Sequence, residues 1–314
     1  MKITILSVLS SSFLLGTMTI SASAQPQHLP KLPPPPAPPK GTKIYRDLAY
    51  VPNGGPKRTL DLYVPPVKGA KIPLIVYIHG GAFMFGDKSS GFLPTRILKS
   101  GYALASLNYR LSGDARFPAQ IEDCKSAVRF LRAHAKQYGL DSTRFVAWGE
   151  SAGAGLAALV GTSGQTKSLD VGANRGFSSA VQGVVDLYGP TDFLQMDAHR
   201  VADGDRHNPA DSPESRLIGG ALQENKAKVE RANPITYVSR QTPPFFIAHG
   251  TNDHVVPFNQ SQLLVAALKK ANRKVTFLPV RGADHGFKDA TPTQLRQIDQ
   301  GVDTFLKNLF VARR

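Results

Sequence analysis

Arg144-Phe145-Val146-Ala147-Trp148-Gly149-Glu150-Ser151-Ala152-Gly153-Ala154-Gly155-Leu156-Ala157-Ala158-Leu159-Val160 decides the reading of this chain. Its first five residues have the apolar, aromatic character of a buried strand, and the residues after Gly153 that of a helix packed through small side chains. Ser151 stands on the turn between them. A strand that breaks sharply into a helix lifts the side chain at the break above the sheet edge, and glycines on either side permit the close backbone approach that such a turn needs. Gly149-Glu150-Ser151-Ala152-Gly153 therefore reads as a nucleophile elbow in the context that a nucleophile elbow requires.

A bare GxSxG is weak evidence, so the rest of the chain matters. Leu74–Ile78 reads as a buried strand running into His79-Gly80-Gly81-Ala82-Phe83. Phe245–Ala248 ends in His249-Gly250-Thr251-Asn252-Asp253, and Val275–Leu278 leads to Ala283-Asp284-His285-Gly286-Phe287. Glycine turn, serine, acid and histidine thus follow one another in the chain order of an α/β hydrolase, each just beyond the end of a predicted strand.

The coarse pattern agrees with that fold class. Ile44–Tyr50 and Thr59–Val64 alternate in polarity and predict antiparallel edge strands. Further strands are predicted at Ala103–Leu107 and Val181–Leu187. Helices are predicted at Leu93–Lys99, Pro118–Gln137, Ala152–Val160, Phe258–Ala271 and Thr293–Leu309. Alternation of this kind implies a mostly parallel sheet with helices on both faces. The segment from about 189 to 238 breaks it. This stretch is polar and proline-interrupted, and Asp211-Ser212-Pro213-Glu214 has the form of a helix start, so it reads as a small cap insertion. Cys124 is the only cysteine, which excludes an intrachain disulfide. It shares a helical face with Phe117, Ile121, Val128, Leu131 and Ala135, a core position.

The ends carry other signals. Lys2, the apolar run Ile3–Ile20 and Ala22-Ser23-Ala24 have the form of a signal peptide cleaved after about Ala24, which predicts a secreted or periplasmic protein with no membrane span once it is removed. Residues 25–40, with Pro33-Pro34-Pro35-Pro36, read as an extended linker. Residues 41–314 then form one α/β-hydrolase domain. The formal charge of +15 suits anionic surroundings such as acidic polysaccharide or an outer-membrane surface. No cluster of basic and aromatic residues points to nucleic acid, and export argues against it. The histidines lack paired metal-ligand spacing, and there is no phosphate-binding glycine loop, so neither metal nor cofactor is expected. Nothing fixes the oligomeric state.

A serine hydroxyl needs a base, and His285 is the candidate, with Asp253 to orient it. Asp284, Asp289 and His254 are the rivals for these roles. The turn ending in Pro257 favours Asp253. The N–H groups of Gly81, Ala82 and Ala152 are candidates to stabilise an oxyanion, Ala152 being at a helix start. His79 and Gly80 brace the glycine turn, Glu150 is a supporting carboxylate, and Asp186 and Asp192 are structural or anchor the cap.

HGGAFMFGDKSS from His79, NYRLS from Asn108, FPAQIEDCKSAVRFLRAHA from Phe117, GESAG, YGPTDF from Tyr188, SPESRLIGG from Ser212, NPITYVS from Asn233 and HGTNDHVVPFNQSQ from His249 together resemble the esterases related to bifunctional acetyl-xylan and feruloyl esterases, near the hormone-sensitive-lipase-like branch of the α/β hydrolases. The resemblance covers nearly all of Pro73 to Leu309. It implies cofactor-free hydrolysis of carboxylic esters, often acyl groups on plant polysaccharide, with nucleophile Ser151, acid Asp253 and base His285. Two departures stand out: Ala82 where a third glycine is common, and Ala154 for a glycine after the elbow. The rivals are a prolyl-oligopeptidase-like serine peptidase, which normally carries an added propeller domain, and a non-catalytic binding protein on the same fold.

Overall fold

A computed structural model describes residues 37–311 apart from 68, 70 and 90–92. The signal-peptide reading and most of the linker reading lie outside the described residues. Eight strands, β1 Lys43–Ala49, β2 Thr59–Val64, β3 Ile72–Ile78, β4 Ala103–Leu107, β5 Leu140–Glu150, β6 Gly183–Leu187, β7 Phe245–Gly250 and β8 Val275–Val280, form one sheet in the order β1-β2-β4-β3-β5-β6-β7-β8. β1 and β2 run antiparallel, and all pairings from β4 across to β8 are parallel. The helices are α1 Ala119–Ala133, α2 Ala135–Tyr138, α3 Ala152–Thr162, α4 Met196–His199, α5 Pro213–Ile218, α6 Lys226–Ala232, α7 Asn259–Lys270 and α8 Pro292–Val311. This is the α/β-hydrolase architecture.

Because successive strand residues face opposite sides, each central strand feeds two cores. Leu74, Val76 and Ile78 of β3, Phe145 and Ala147 of β5, and Phe245 and Ile247 of β7 join the apolar faces of α1, α3 and α7. Ile75, Tyr77, Val146, Trp148, Phe246 and Ala248 face the other way, towards Ile97, Leu98 and the α8 residues Ile298, Val302 and Leu306. Burial on both faces explains why these strands read as continuous apolar runs. It also fixes the carboxyl ends of β3, β5 and β7, and β8 is held beside them by its pairing with β7.

Three expectations need correction. β2 is not an edge strand: it lies between β1 and β4, and all six of its residues are buried. Its polar member, Asp61, made the strand appear half-exposed, yet Asp61 is buried and held by Lys88 Nζ at 2.6 Å and by Arg46 Nη1 at 2.5 Å. The predicted helix at Leu93–Lys99 is instead a 3₁₀ helix over Thr95–Ser100, closed by left-handed Gly101. The predicted helix Pro118–Gln137 is broken at His134, between α1 and α2.

On α1 the Cys124 face is buried as expected, but Lys125 and Arg129 are also fully buried. Their charges meet Asp170, with Arg129 Nη1 at 2.8 Å and Lys125 Nζ at 3.4 Å, and Lys125 also donates to the carbonyls of Ser163 and Thr166. A buried cation left without its partner acid costs about 3–5 kcal/mol. Asp170→Ala is therefore expected to lower the unfolding free energy by about that amount, read from the urea midpoint at unchanged slope.

Candidate active site

β5 ends at Glu150 and α3 begins at Ala152, so the whole reversal of direction falls on one residue. Ser151 sits at φ 51° and ψ −128°, a conformation an L-residue adopts only when its surroundings impose it. A side chain on Gly149 would run into the carbonyl of Gly153, and one on Gly153 into the carbonyls of Ile78 and His79. The two glycines are what let strand, helix and the end of β3 close around the serine.

Ser151 Oγ is 3.0 Å from His285 Nε2, and His285 Nδ1 is 2.9 and 3.1 Å from the two oxygens of Asp253. A carboxylate only accepts, so Nδ1 carries the proton and the free lone pair of Nε2 faces the serine hydroxyl. Ser151 comes from the β5–α3 turn, Asp253 from the loop after β7 and His285 from the loop after β8.

Asp253 is almost completely buried. Oδ1 also accepts from the N–H groups of Val255 and Val256 at 2.9 and 2.7 Å. Burial alone would raise its pKa, but hydrogen bonds and attraction from His249 and His285 bring it well below the usual carboxylate range. The carboxylate is thus ionised at neutral pH.

The rivals fall elsewhere. Asp284 accepts from the backbone N–H groups of His254 and His285, at 2.9 and 2.7 Å, and so fixes the loop that carries His285. His254 pairs with Asp284 and Asp203, and the bond to Asp284 raises its pKa. Asp289 is exposed, at φ 66°.

Around the serine, Gly80 packs so closely that a Cβ there would be 3.4 Å from Ser151 Cβ. Gly81, Ala82 and Phe83 follow at φ 108°, 53° and 60°. Three consecutive positive φ values turn the peptide planes, and Ala82 occupies a left-handed position where glycine is unstrained. Among the described residues no backbone hydrogen bond engages the N–H of Gly81, Ala82 or Ala152. His79 is buried, stacks on Tyr109 at 4.5 Å and bonds the Gly80 carbonyl through Nδ1 at 2.7 Å. Glu150 accepts from the hydroxyls of Tyr77 at 2.7 Å and Tyr188 at 3.1 Å. The Tyr188 ring lies edge-on to the His285 ring, 4.9 Å between centroids. Asp186 accepts from Gly189 N, and Asp192 accepts from Leu194 N, Gln195 Nε2 and Asn233 Nδ2, which anchors the cap segment. Among the described residues no cluster of three or more His, Cys, Asp or Glu side chains could hold a metal ion.

One residue escaped the sequence reading. His249, at the end of β7, is fully buried with Nε2 3.2 Å from Asp253 Oδ2. The same nitrogen is 2.9 Å from the Val256 carbonyl, which can only accept, so Nε2 bears a hydrogen; Nδ1 accepts from the Ser261 hydroxyl at 2.7 Å. His249 therefore contacts the same Asp253 oxygen, Oδ2, that His285 approaches at 2.9 Å. Its spacing of four residues from Asp253 was the available signal.

With the geometry established, comparison places the chain. Residues 60–268 match the BD-FAE family model, and the chain belongs to that family. It is 30% identical to Esterase LipQ of Mycobacterium tuberculosis over 85% of its own length, and spans 63% of that protein. A truncated carbohydrate esterase from gut microbiota superposes with a TM-score of 0.74 at 31% identity, covering 85% of this chain and 99% of that one. A bifunctional GH43-CE protein of Bacteroides eggerthii gives 0.73 at 34% identity, covering 83% of this chain and 35% of that one.

Two outcomes test this geometry. His249→Phe removes the 3.2 Å contact of Nε2 with the Asp253 carboxylate and the bond to the Val256 carbonyl that orders the same loop, on the scale of about 1.5–3 kcal/mol. A fall in kcat/KM of roughly ten- to a hundredfold, largely restored in His249→Gln, is expected from a loss of that size. The second concerns pH. Burial lowers the His79 pKa from 6.5 to about 4, so its contribution to stability is complete above pH 6.5 and is lost as pH falls towards 4. Buried Asp186, raised to about 6, works in the opposite sense, so the informative quantity is a difference. The gap in Tm between the wild type and His79→Gln should shrink between pH 7 and pH 4.5.

Proposed function

We propose that the chain is a serine carboxylesterase that works through an acyl-enzyme on short-acyl or aryl esters, including acyl groups carried by polysaccharide. The observation that carries this reading is the unbroken hydrogen-bonded path from Ser151 through His285 to an ionised Asp253, beside backbone N–H groups with no partner of their own. In the proposed reaction His285 Nε2 takes the Ser151 proton as Oγ attacks the ester carbonyl. Asp253 stabilises the imidazolium that forms. The oxyanion is received by Gly81, Ala82 and Ala152, each such donor being worth about 10²–10³ in kcat. His285 returns its proton to the leaving alkoxide, and the same groups then direct water onto the acyl-enzyme.

Family membership and the likeness to LipQ and to the carbohydrate esterase support ester hydrolysis. A cavity of about 380 Å³ beside the His285 loop, lined by Trp148, Leu187, Tyr188, Phe287 and Ile298 among others, supports room for an apolar or aromatic group. We further propose export to the periplasm or exterior, on the leader-like sequence of residues 1–24. No helix among the described residues is long and apolar enough to cross a membrane.

The purified mature protein should release 4-nitrophenol from 4-nitrophenyl acetate and acetate or ferulate from acylated xylan. Ser151→Ala should lose at least about a thousandfold in kcat while keeping its circular dichroism and Tm. Failure of the folded wild type to hydrolyse any of these esters would overturn the proposal.

A further inference from the structure

Between the cap and the segment after the glycine turn lies a second, open cavity of about 560 Å³, whose lining includes Phe85, Ser112, Arg116, Ser215, Arg216 and Gly219. Met84 and Phe85, which follow the glycine turn, form one wall. The N–H groups of Met84 and Phe85 both donate to the Gly81 carbonyl, and Ser112 N donates to the Phe83 carbonyl at 2.8 Å. The opposite wall is α5, joined to the Arg116 segment by Phe117 N donating to the Leu217 carbonyl at 2.9 Å.

The polar chemistry of this cavity is one-sided. Arg116 lies flat on Gly219, so close that a Cβ there would be 2.6 Å from its Nε and 2.8 Å from its Cζ. Gly219 closes α5 in the left-handed conformation, and Arg216 is in the last turn of that helix. Both Arg116 and Arg216 line the cavity. Arg216 uses Nε on the Asp211 carbonyl, 2.9 Å away. No hydrogen bond or ion pair among the described residues engages the Arg116 guanidinium. No acid lines the cavity among the described residues, and Asp114, close by in sequence, is paired with Lys57. Ser215 is fully buried, lines the cavity and has a hydroxyl with no partner. A buried hydroxyl without a partner is costly unless a ligand or water meets it. At the rim Phe85 is 48% exposed, an aromatic face beside cationic groups.

We infer that this cavity is a subsite for the carboxylate of an acidic sugar, so that the preferred substrate is an ester on a uronic-acid-bearing saccharide. The inference rests on the esterase reading of Ser151. Arg116 and Arg216 supply charge-assisted hydrogen bonds to the carboxylate, and Phe85 offers a face to the pyranose ring. The basic balance of the whole chain, +15, draws the same class of polymer to the surface.

The test compares acetylated methyl glucuronoside with acetylated methyl glucoside, which differ by carboxylate against hydroxymethyl. The wild type should favour the uronate by about tenfold in kcat/KM, the scale of one charge-assisted hydrogen bond. That ratio should fall towards one in Arg116→Gln/Arg216→Gln and at molar salt. A ratio near one in the wild type, or a ratio unchanged by the double substitution, overturns the subsite while leaving the esterase reading intact. If the wild type hydrolyses neither ester, the esterase reading fails. The cavity is then decided by calorimetric titration of methyl glucuronoside into Ser151→Ala, with and without the arginine substitutions. Binding lost with the arginines supports the subsite, and no binding to the parent overturns it.

Discussion

The whole arrangement at the carboxyl edge of the sheet depends on one strained turn. Ser151 is held at positive φ because β5, α3 and the end of β3 leave no other path, and they can approach only where Gly149 and Gly153 carry no side chain. The strain is of the order of 1–3 kcal/mol, and it is offset by the double-sided burial of the central strands. That burial fixes the strand end from which the Asp253 loop springs, and pairing with β7 holds β8, which leads to the His285 loop. A serine on a relaxed loop would not stay 3.0 Å from an imidazole delivered by a different strand.

Around this turn the polar groups form two supports. On one side Asp253 is gripped by His285, His249 and two backbone N–H groups, so its orientation does not depend on the histidine it serves. On the other, Tyr77 and Tyr188 hold Glu150, and the Tyr188 ring packs edge-on against the imidazole of His285. The cap is tied to the same frame. Gln260 Oε1, on α7, accepts from Thr191 N and Asp192 N at 2.8 and 2.7 Å, while Asp192 holds Asn233. The walls built from this segment are therefore registered against the sheet.

Much of this was legible in the sequence, for a physical reason. Buried parallel strands and their helices write continuous or periodic apolar patterns, and a nucleophile elbow needs glycine at fixed offsets, so Trp148 to Gly155 could be read locally. What escaped was long-range polar chemistry. Asp61 made β2 look half-exposed because its partner Lys88 lies 27 residues on. The burial of Lys125 and Arg129 left no mark in the sequence because Asp170, their partner, is more than forty residues away. His249 sat inside a turn motif that drew attention to Asp253 alone. The 3₁₀ segment at Thr95–Ser100 has the apolar spacing of a helix, and that spacing does not distinguish the tighter winding.

The central claim is that the Ser151 hydroxyl is activated by His285. Its most direct measurement is intact and peptide mass spectrometry after exposure to a 4-nitrophenyl phosphonate ester. One phosphonyl group on the Ser151 peptide, with labelling slowed by orders of magnitude in His285→Ala, is the result expected. A label on another residue, or equal labelling of Ser151 in the histidine variant, would contradict the account.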